Sequence, residues 1–356
     1  MQVDFRIKDF RFSGGVMINL DFARHLAEKR HIIRILWNGE GSQELKARAK
    51  WLPIFDAETL GSDDHARVTV FGFPHHAREV LSWRTLPVFF CQGEWWRDWE
   101  EKATSRDGIF GLFGQMRHRR KLRETNQAFS RPMPKVATTV AIGEYLRRFP
   151  GEVYVSPVGV DLRLFAPVAA LSRRSCDTVL IVGPTSLKCK RVGNALQAAK
   201  LLKSRGMKIL VLRASPEKME PWEKALAVTD EYYEKLELEK MPALYNRADV
   251  VVMVSGEAEG FGLPAVEAMA CGVPTVLSRA RCFLSYSDVH DYARFVNIGD
   301  VEGIARGVEE VLRDEELRKR LRSRAFEVAR EFSIERAREC FEKTLIEIAR
   351  KYDVEA

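Results

Sequence analysis

Short β-branched runs alternate with helical periodicity along most of the chain. TVLIVG (Thr178–Gly183) is an apolar run closed by glycine, the pattern of a buried parallel strand. NALQAAKLLK (Asn194–Lys203) predicts a helix, MKILVLRAS a strand, Pro242–Asn246 a helical turn and DVVVMV (Asp249–Val254) a third strand. A loop over Gly256–Pro264 leads into AVEAMAC, a short helix stopped by Gly272 and Pro274, and TVLS is the next strand. Alternation at this spacing predicts right-handed crossovers and a parallel sheet.

The first half shows the same rhythm more faintly. The Ser13-Gly14-Gly15 loop precedes a helix with Val16, Leu20, Ala23 and Ala27 on one face, then IIRIL (Ile32–Leu36) as a strand. Val68–Phe71 and Leu86–Phe90 read as further strands, and Lys135–Gly143 and Val153–Gly159 close this half. From Asp300 onward the pattern is helical, in segments starting near Asp300, Asp314 and Ser333. The expected organisation is a first Rossmann-like domain over residues 1–165, a second over 166–335 and a terminal helix over 336–356.

At 356 residues and 46% hydrophobic composition the chain suits two domains. No apolar run reaches the roughly 18 residues that a membrane-spanning helix needs, and the polar N-terminus lacks a signal core, so a cytoplasmic location is expected. The six cysteines are scattered without a CxxC pair or a Cys/His cluster, which argues against a disulfide framework or a zinc site. The net charge of +7 is uneven: residues 1–166 carry 26 Lys/Arg against 20 Asp/Glu, the remainder 31 against 30. The two halves therefore meet different partners.

The most informative stretch is Glu259-Gly-Phe-Gly-Leu-Pro-Ala-Val-Glu267. Gly260 and Gly262 let the backbone bend, and Pro264 suits the first turn of a helix. The free N–H groups of Phe261, Gly262 and Leu263 then face outward at the helix start, where an anion such as a diphosphate is favoured. Each carboxylate accepts hydrogen bonds in pairs and so matches a vicinal diol. A diol reader on each side of a phosphate binder describes a pocket for hexose, diphosphate and ribose. First-turn acids also occur for dipole reasons alone, but the loop lies at the carboxyl end of a strand in an open α/β sheet, where such folds bind ligands.

GEAEGFGLPAVEAMACGVPTVLS resembles the E-x7-E segment of retaining glycosyltransferases of family four, which have the GT-B fold of two Rossmann-like domains facing across a cleft. SGGVMINLDFARHLAEKRHIIRIL, YVSPVGVDLRLFAP, TVLIVGPTSLKCKRVGNALQAAKLL and MPALYNRADVVVMVS resemble further family segments in the same order. The resemblance implies that Glu259 holds donor-sugar hydroxyls, that backbone at Gly260, Phe261, Gly262 and Leu263 meets sugar and phosphate, and that Glu267 holds ribose. Lys190, or Lys188 in a shifted loop, would neutralise the diphosphate beside Gly183, and Gly14 and Gly15 would close onto it. The donor would be a nucleoside-diphosphate sugar, UDP- or GDP-linked. No cofactor or essential metal is implied, and the chain has no DxD pattern. By the same resemblance the last helix crosses back onto the first domain.

Three positions depart from the family pattern: Pro184 stands for Arg, Val158 for Asn, and Gln92 of FFCQGEWW for His. Gln92 and Glu94 stay candidates for the sugar or acceptor side, Glu94 equally as a solvated loop acid. Beyond them Trp95, Trp96 and Trp99, the apolar run Ile109–Phe113 and the basic run Arg117, Arg119, Arg120, Lys121 and Arg123 suit either an anionic membrane surface or a helix packed on its own domain. No nucleic-acid module surrounds the basic run. The expectation is a cytoplasmic hexosyltransferase, peripheral on the membrane in the first case, acting on a glycan or lipid-linked acceptor. A sugar-nucleotide epimerase and a donor-binding subunit with weak catalysis are the alternatives; the oligomeric state leaves no mark in the sequence.

Overall fold

The computed structural model describes residues 1–7, 14–37, 52–104, 111–168 and 176–354. It divides into two compact units, Met1–Val158 with Glu335–Ala356, and Gly159–Ile334. Ser13, residues 109 and 110 of the apolar run and residues 169–175, just beyond the expected division at 165, lie outside the described residues.

In the first unit the strands are β1 (Gln2–Arg6), β2 (Ile32–Trp37), β3 (Ile54–Asp56), β4 (Val68–Phe71), β5 (Leu86–Cys91), β6 (Lys135–Ala137) and β7 (Val153–Val155). They pair in parallel in the order β3-β2-β1-β4-β5-β6-β7. The helices are α1 (Gly14–Glu28), α2 (Ala77–Val80), α3 (Trp95–Thr104), α4 (Gly111–Phe129) and α5 (Val140–Leu146). The sequence pattern hid β1 because two of its five residues, Asp4 and Arg6, are charged and yet buried. Each has a partner: Arg34 meets Asp4 with two hydrogen bonds of 2.8 Å, and Arg6 donates to Glu79 at 3.1 Å.

The second unit holds β8 (Asp177–Val182), β9 (Ile209–Ser215), β10 (Glu231–Glu234), β11 (Val250–Met253), β12 (Thr275–Ser278) and β13 (Arg294–Val296), parallel in the order β10-β9-β8-β11-β12-β13. Its helices are α6 (Val192–Ser204), α7 (Pro221–Leu226), α8 (Met241–Asn246), α9 (Leu263–Ala270), α10 (Arg281–Leu284), α11 (Val301–Arg313) and α12 (Glu315–Arg330). Asp300 and Asp314 start α11 and α12 as side-chain caps, accepting the N–H of Gly303 at 2.8 Å and of Leu317 at 2.9 Å. One core of β8, β9 and β11 side chains with α6 and α11 fills one face of this sheet.

Two Rossmann-like units and a helical C-terminal segment are therefore present. The division falls between Val158 and Gly159, ahead of residue 165, because the second unit captures the intervening chain. Val160 donates to the Phe332 carbonyl and accepts from Ile334, each at 2.9 Å, and a Cβ on Gly159 would lie 2.5 Å from the Ser333 carbonyl oxygen. The last helix, α13 (Ile334–Lys351), buries its apolar side in the first unit, where Phe341 stacks on Phe22 at 4.4 Å. Polar pins flank that contact: the Glu342 carboxylate lies 3.0 Å from His25 Nε2 and 3.2 Å from His31 Nε2, and Arg338 pairs with Asp21.

α7 is tied to β9 by a fully buried ion pair, Arg213 Nε to Glu223 Oε1 at 2.9 Å. Removing one member leaves a buried charge without its counter-ion, so Glu223→Ala is expected to cost about 3–5 kcal/mol. Denaturant unfolding of wild type and variant checks this, and equal midpoints would contradict the burial.

Candidate functional site

The candidate site of the second unit is built where β8 and β11 end. β8 runs out at Val182, and Gly183 follows with φ +122°, a conformation favouring glycine. The Lys190 side chain packs against it, a Cβ built there lying in ordinary contact at 3.7 Å from Lys190 Cγ. Lys190 ends a 3₁₀ turn (Lys188–Lys190), and Cys189 in that turn accepts the Gly256 N–H at 2.7 Å. This backbone bond joins the loop after β8 to the loop after β11.

Across it Lys190 Nζ donates to both Glu259 oxygens, at 2.9 and 2.7 Å, and the Ser255 hydroxyl donates to Oε2 at 2.7 Å. Burial alone would push the Glu259 carboxyl up, but Lys190, Ser255 and the Gly260 amide together hold it below its ordinary value. Burial likewise opposes the Lys190 charge, and Glu259 raises its pKa above the usual lysine range. Both groups stay charged around neutrality. An ammonium has three donors, and two of them serve Glu259, so Lys190 retains one N–H for a ligand.

The loop then turns through Gly260, Phe261 and Gly262 into α9, with Pro264 in its first turn. Gly262 has φ +83°, and a Cβ there would collide with the Phe283 ring. Tyr286 holds the turn from beneath: its hydroxyl donates to the Phe261 carbonyl, with the Gly262 carbonyl 3.1 Å away. Phe261 also packs on Tyr286 and Phe332, each with ring centroids 5.3 Å away. The turn that opens α9 is thus held from below, and it follows directly on Glu259, the partner of Lys190. Glu267 follows one turn into the helix, where its Oε2 accepts the Tyr245 hydroxyl at 2.6 Å. Burial pushes its carboxyl up to about 7, against the pull of Tyr245 and Lys190.

Glu259, Lys190, Gly183, Gly260, Phe261, Gly262, Leu263 and Glu267 thus lie in one neighbourhood of the second unit. Lys188 is exposed and is not placed at Glu259, which corrects its candidacy: the 3₁₀ turn brings Lys190, two residues on, to the carboxylate. Ser255, Tyr245 and Tyr286 were missed. The Ser255 signal was a hydroxyl at the end of an apolar strand; the tyrosines act from other loops and leave no local pattern.

In the first unit Gly14 and Gly15 open α1. A Cβ on Gly15 would lie 2.6 Å from Gln92 Oε1, so this glycine admits the Gln92 side chain. Gln92 Nε2 is buried and has no hydrogen-bond partner among the described residues. Two sequence candidates are corrected here. Trp96 is fully buried, stacked on Tyr145 at 4.5 Å, so it is core and not an acceptor or membrane contact. Glu94 is likewise buried and pairs with Arg97, which corrects both the acceptor-side and the solvated-acid readings. Trp95 and Trp99 are half-buried, and Lys121 lies over the Trp99 ring at 5.3 Å. Arg117, Arg119, Arg120 and Arg123 remain exposed on α4, with Arg120 paired to Glu124 at 2.8 Å. Among the described residues no three His, Cys, Asp or Glu side chains converge to hold a metal ion.

Gly262→Ala puts a side chain into a left-handed turn and an aromatic ring at once, so we expect it to cost about 1–3 kcal/mol. Thermal unfolding checks this; an unchanged midpoint would mean that the turn is built differently.

Residues 175–328 match the family described as Glycosyl transferases group 1. The chain is 30% identical over 239 residues to an MMP alpha-(1->4)-mannosyltransferase of Mycolicibacterium hassiacum, covering 64% of this chain and 53% of that protein. It is 30% identical over 154 residues to an N-acetyl-alpha-D-glucosaminyl L-malate synthase of Bacillus anthracis, covering 42% of this chain and 40% of that one. The chain spans about half the length of the curated relatives it matches. Among solved structures, Anabaena Alr3699/HepE in complex with UDP-glucose superposes with a TM-score of 0.78 at 15% identity, over 98% of this chain and 100% of that one. The fold of this protein is accordingly GT-B: two Rossmann-like parallel-sheet units with a helical C-terminal segment.

Proposed function

We propose that this protein is a retaining glycosyltransferase of family four that moves a hexosyl group from a UDP- or GDP-sugar to a glycan or lipid-linked acceptor. The observation that carries the reading is the buried Lys190–Glu259 pair beside the amides that open α9. The similarity to a mannosyltransferase, and to a structure holding UDP-glucose, supports it.

In this reading the diphosphate lies against the amides of Phe261, Gly262 and Leu263 and takes the remaining N–H of Lys190. Glu259 accepts hydroxyls of the donor hexose, and Glu267 accepts the ribose diol. As the bond from the anomeric carbon to the phosphate oxygen breaks, the departing nucleotide gains charge where the amides and Lys190 already point. The acceptor oxygen forms the new bond on the same face and gives its proton to the leaving phosphate. No protein nucleophile or metal ion enters this scheme. In the first unit the Nε2 of Gln92, without a hydrogen-bond partner among the described residues, is offered to an acceptor hydroxyl.

The acceptor belongs to the first unit, whose α4 presents Arg117, Arg119, Arg120 and Arg123 to solvent. These residues draw the protein to an anionic membrane surface that carries the acceptor; no helix among the described residues is long and apolar enough to cross one. The cytoplasmic face of a membrane is the proposed location.

Nucleotide release from UDP-glucose and GDP-mannose tests the reaction. Glu259→Ala, which also frees the Lys190 ammonium from the position in which it meets the developing charge, is expected to lower turnover about a hundredfold or more, the usual loss of such a preorganised contact, with an unaltered far-UV spectrum. Equal turnover would remove Glu259 from the site. Reversing Arg117, Arg119, Arg120, Lys121 and Arg123 to Glu should abolish sedimentation with phosphatidylserine vesicles, and unchanged sedimentation would end the membrane assignment.

A further inference from the structure

Glu267 does not set its own position. The Tyr245 hydroxyl that donates to its Oε2 belongs to a side chain with no exposed surface. Tyr245 lies at the end of α8, and its neighbours fix it there. Its ring meets the Phe165 ring at 6.0 Å, and Asn246 ties the same helix to the chain before β8. Asn246 Nδ2 donates to the Ala166 carbonyl at 3.0 Å, and its Oδ1 accepts the Val168 N–H at 2.9 Å. Turning the phenol away from Glu267 would disturb these contacts.

We propose that Tyr245 is a positioning residue of the nucleotide site, holding the Glu267 carboxylate in the charged form and the rotamer that accept a ribose diol, so that nucleotide affinity follows the proton on Glu267. The inference rests on the assignment of Glu267 to ribose made above.

A carboxylate accepts from both hydroxyls of a diol, whereas a carboxylic acid has one acceptor fewer and a donor that the diol does not need. The Tyr245 hydroxyl occupies one lone pair of Oε2 and leaves Oε1 open. It stays a donor throughout the working range, because burial raises the phenol well above its ordinary pKa. The other titratable groups that act on the carboxylate are few. The Lys190 charge favours its ionised form, and the Cys271 thiol and the Tyr286 phenol stay neutral, burial raising both. Since burial brings Glu267 up to about 7, the empty site near neutrality is a mixture of acid and carboxylate. The nucleotide selects the carboxylate, so affinity rises with pH through about 7 and binding below that pH releases a proton. Removing the Tyr245 hydroxyl withdraws a hydrogen bond from the charged form and moves the midpoint upward.

Titrations of UDP, GDP and ADP into wild type, Tyr245→Phe and Glu267→Gln between pH 5.5 and 9 test this, with thermal midpoints confirming that the variants fold. In Tyr245→Phe the best-bound nucleotide is expected to bind about tenfold more weakly at pH 7, with its pH midpoint about one unit higher, the size of one hydrogen bond to a charged group. Glu267→Gln should bind weakly at every pH, and adding Tyr245→Phe to it should leave the profile flat. A Tyr245→Phe profile superimposable on wild type overturns the proposal while Glu267→Gln still weakens binding. Unchanged binding in Glu267→Gln, or no nucleotide bound by the wild type, overturns the ribose assignment beneath it.

Discussion

A lysine and a glutamate withdrawn from water must be kept together, and the second unit is arranged around that requirement. The effective cost of burying a lone ion is several kcal/mol, and a well-placed counter-ion and hydrogen bonds recover it. Lys190 and Glu259 meet this condition with two short contacts and the Ser255 hydroxyl. The neighbouring backbone follows from it. Gly183 supplies the positive φ that turns the chain after β8, the Gly256–Cys189 hydrogen bond sets the distance between the two loops, and Tyr286 stops the glycine turn from relaxing away. The pair stores charge without neutralising it, so a ligand with a diphosphate on one side and hydroxyls on the other meets both signs at once.

The proposed nucleotide site then divides its electrostatics between two carboxyls. Glu259 stays ionised because a cation touches it, whereas Glu267, beyond the reach of a direct ion pair, is pushed to the edge of protonation by the same burial. Two acids eight residues apart thus differ because of what other loops bring to each. In the proposed site Lys190 faces the phosphates without the arginine of the family pattern, whose place Pro184 takes. That substitution removes a planar five-donor fork, which a lysine cannot copy.

Most of the second unit was legible because its strands are uninterrupted apolar runs and its helices carry acidic caps, as at Asp300 and Asp314. β10 and β13 escaped notice: EYYE and RFV are short edge strands whose polar positions face outward or pair sideways, as Arg247 does with Glu231. β1 escaped because buried ion pairs disguise its pattern. The aromatic and basic segment after β5 misled for a related reason. Its tryptophans looked like a surface belt, yet Trp96 closes the core of the first unit on Tyr145 and Phe129, while Arg117, Arg119, Arg120 and Arg123 stay exposed. Glu259 and Glu267 could be found from spacing, since glycines and a proline mark the turn between them. Tyr245 and Tyr286 could not, because hydrogen bonds between separate loops leave no spacing to read.

The most direct test of the central claim is a crystal structure of the protein after diffusion of UDP-glucose or GDP-mannose. A diphosphate is expected against the amides of Phe261–Leu263 within hydrogen-bond reach of Lys190 Nζ, with hexose hydroxyls on Glu259 and the ribose diol on Glu267. A nucleotide bound elsewhere in the molecule, or one whose phosphates avoid Lys190, would contradict it.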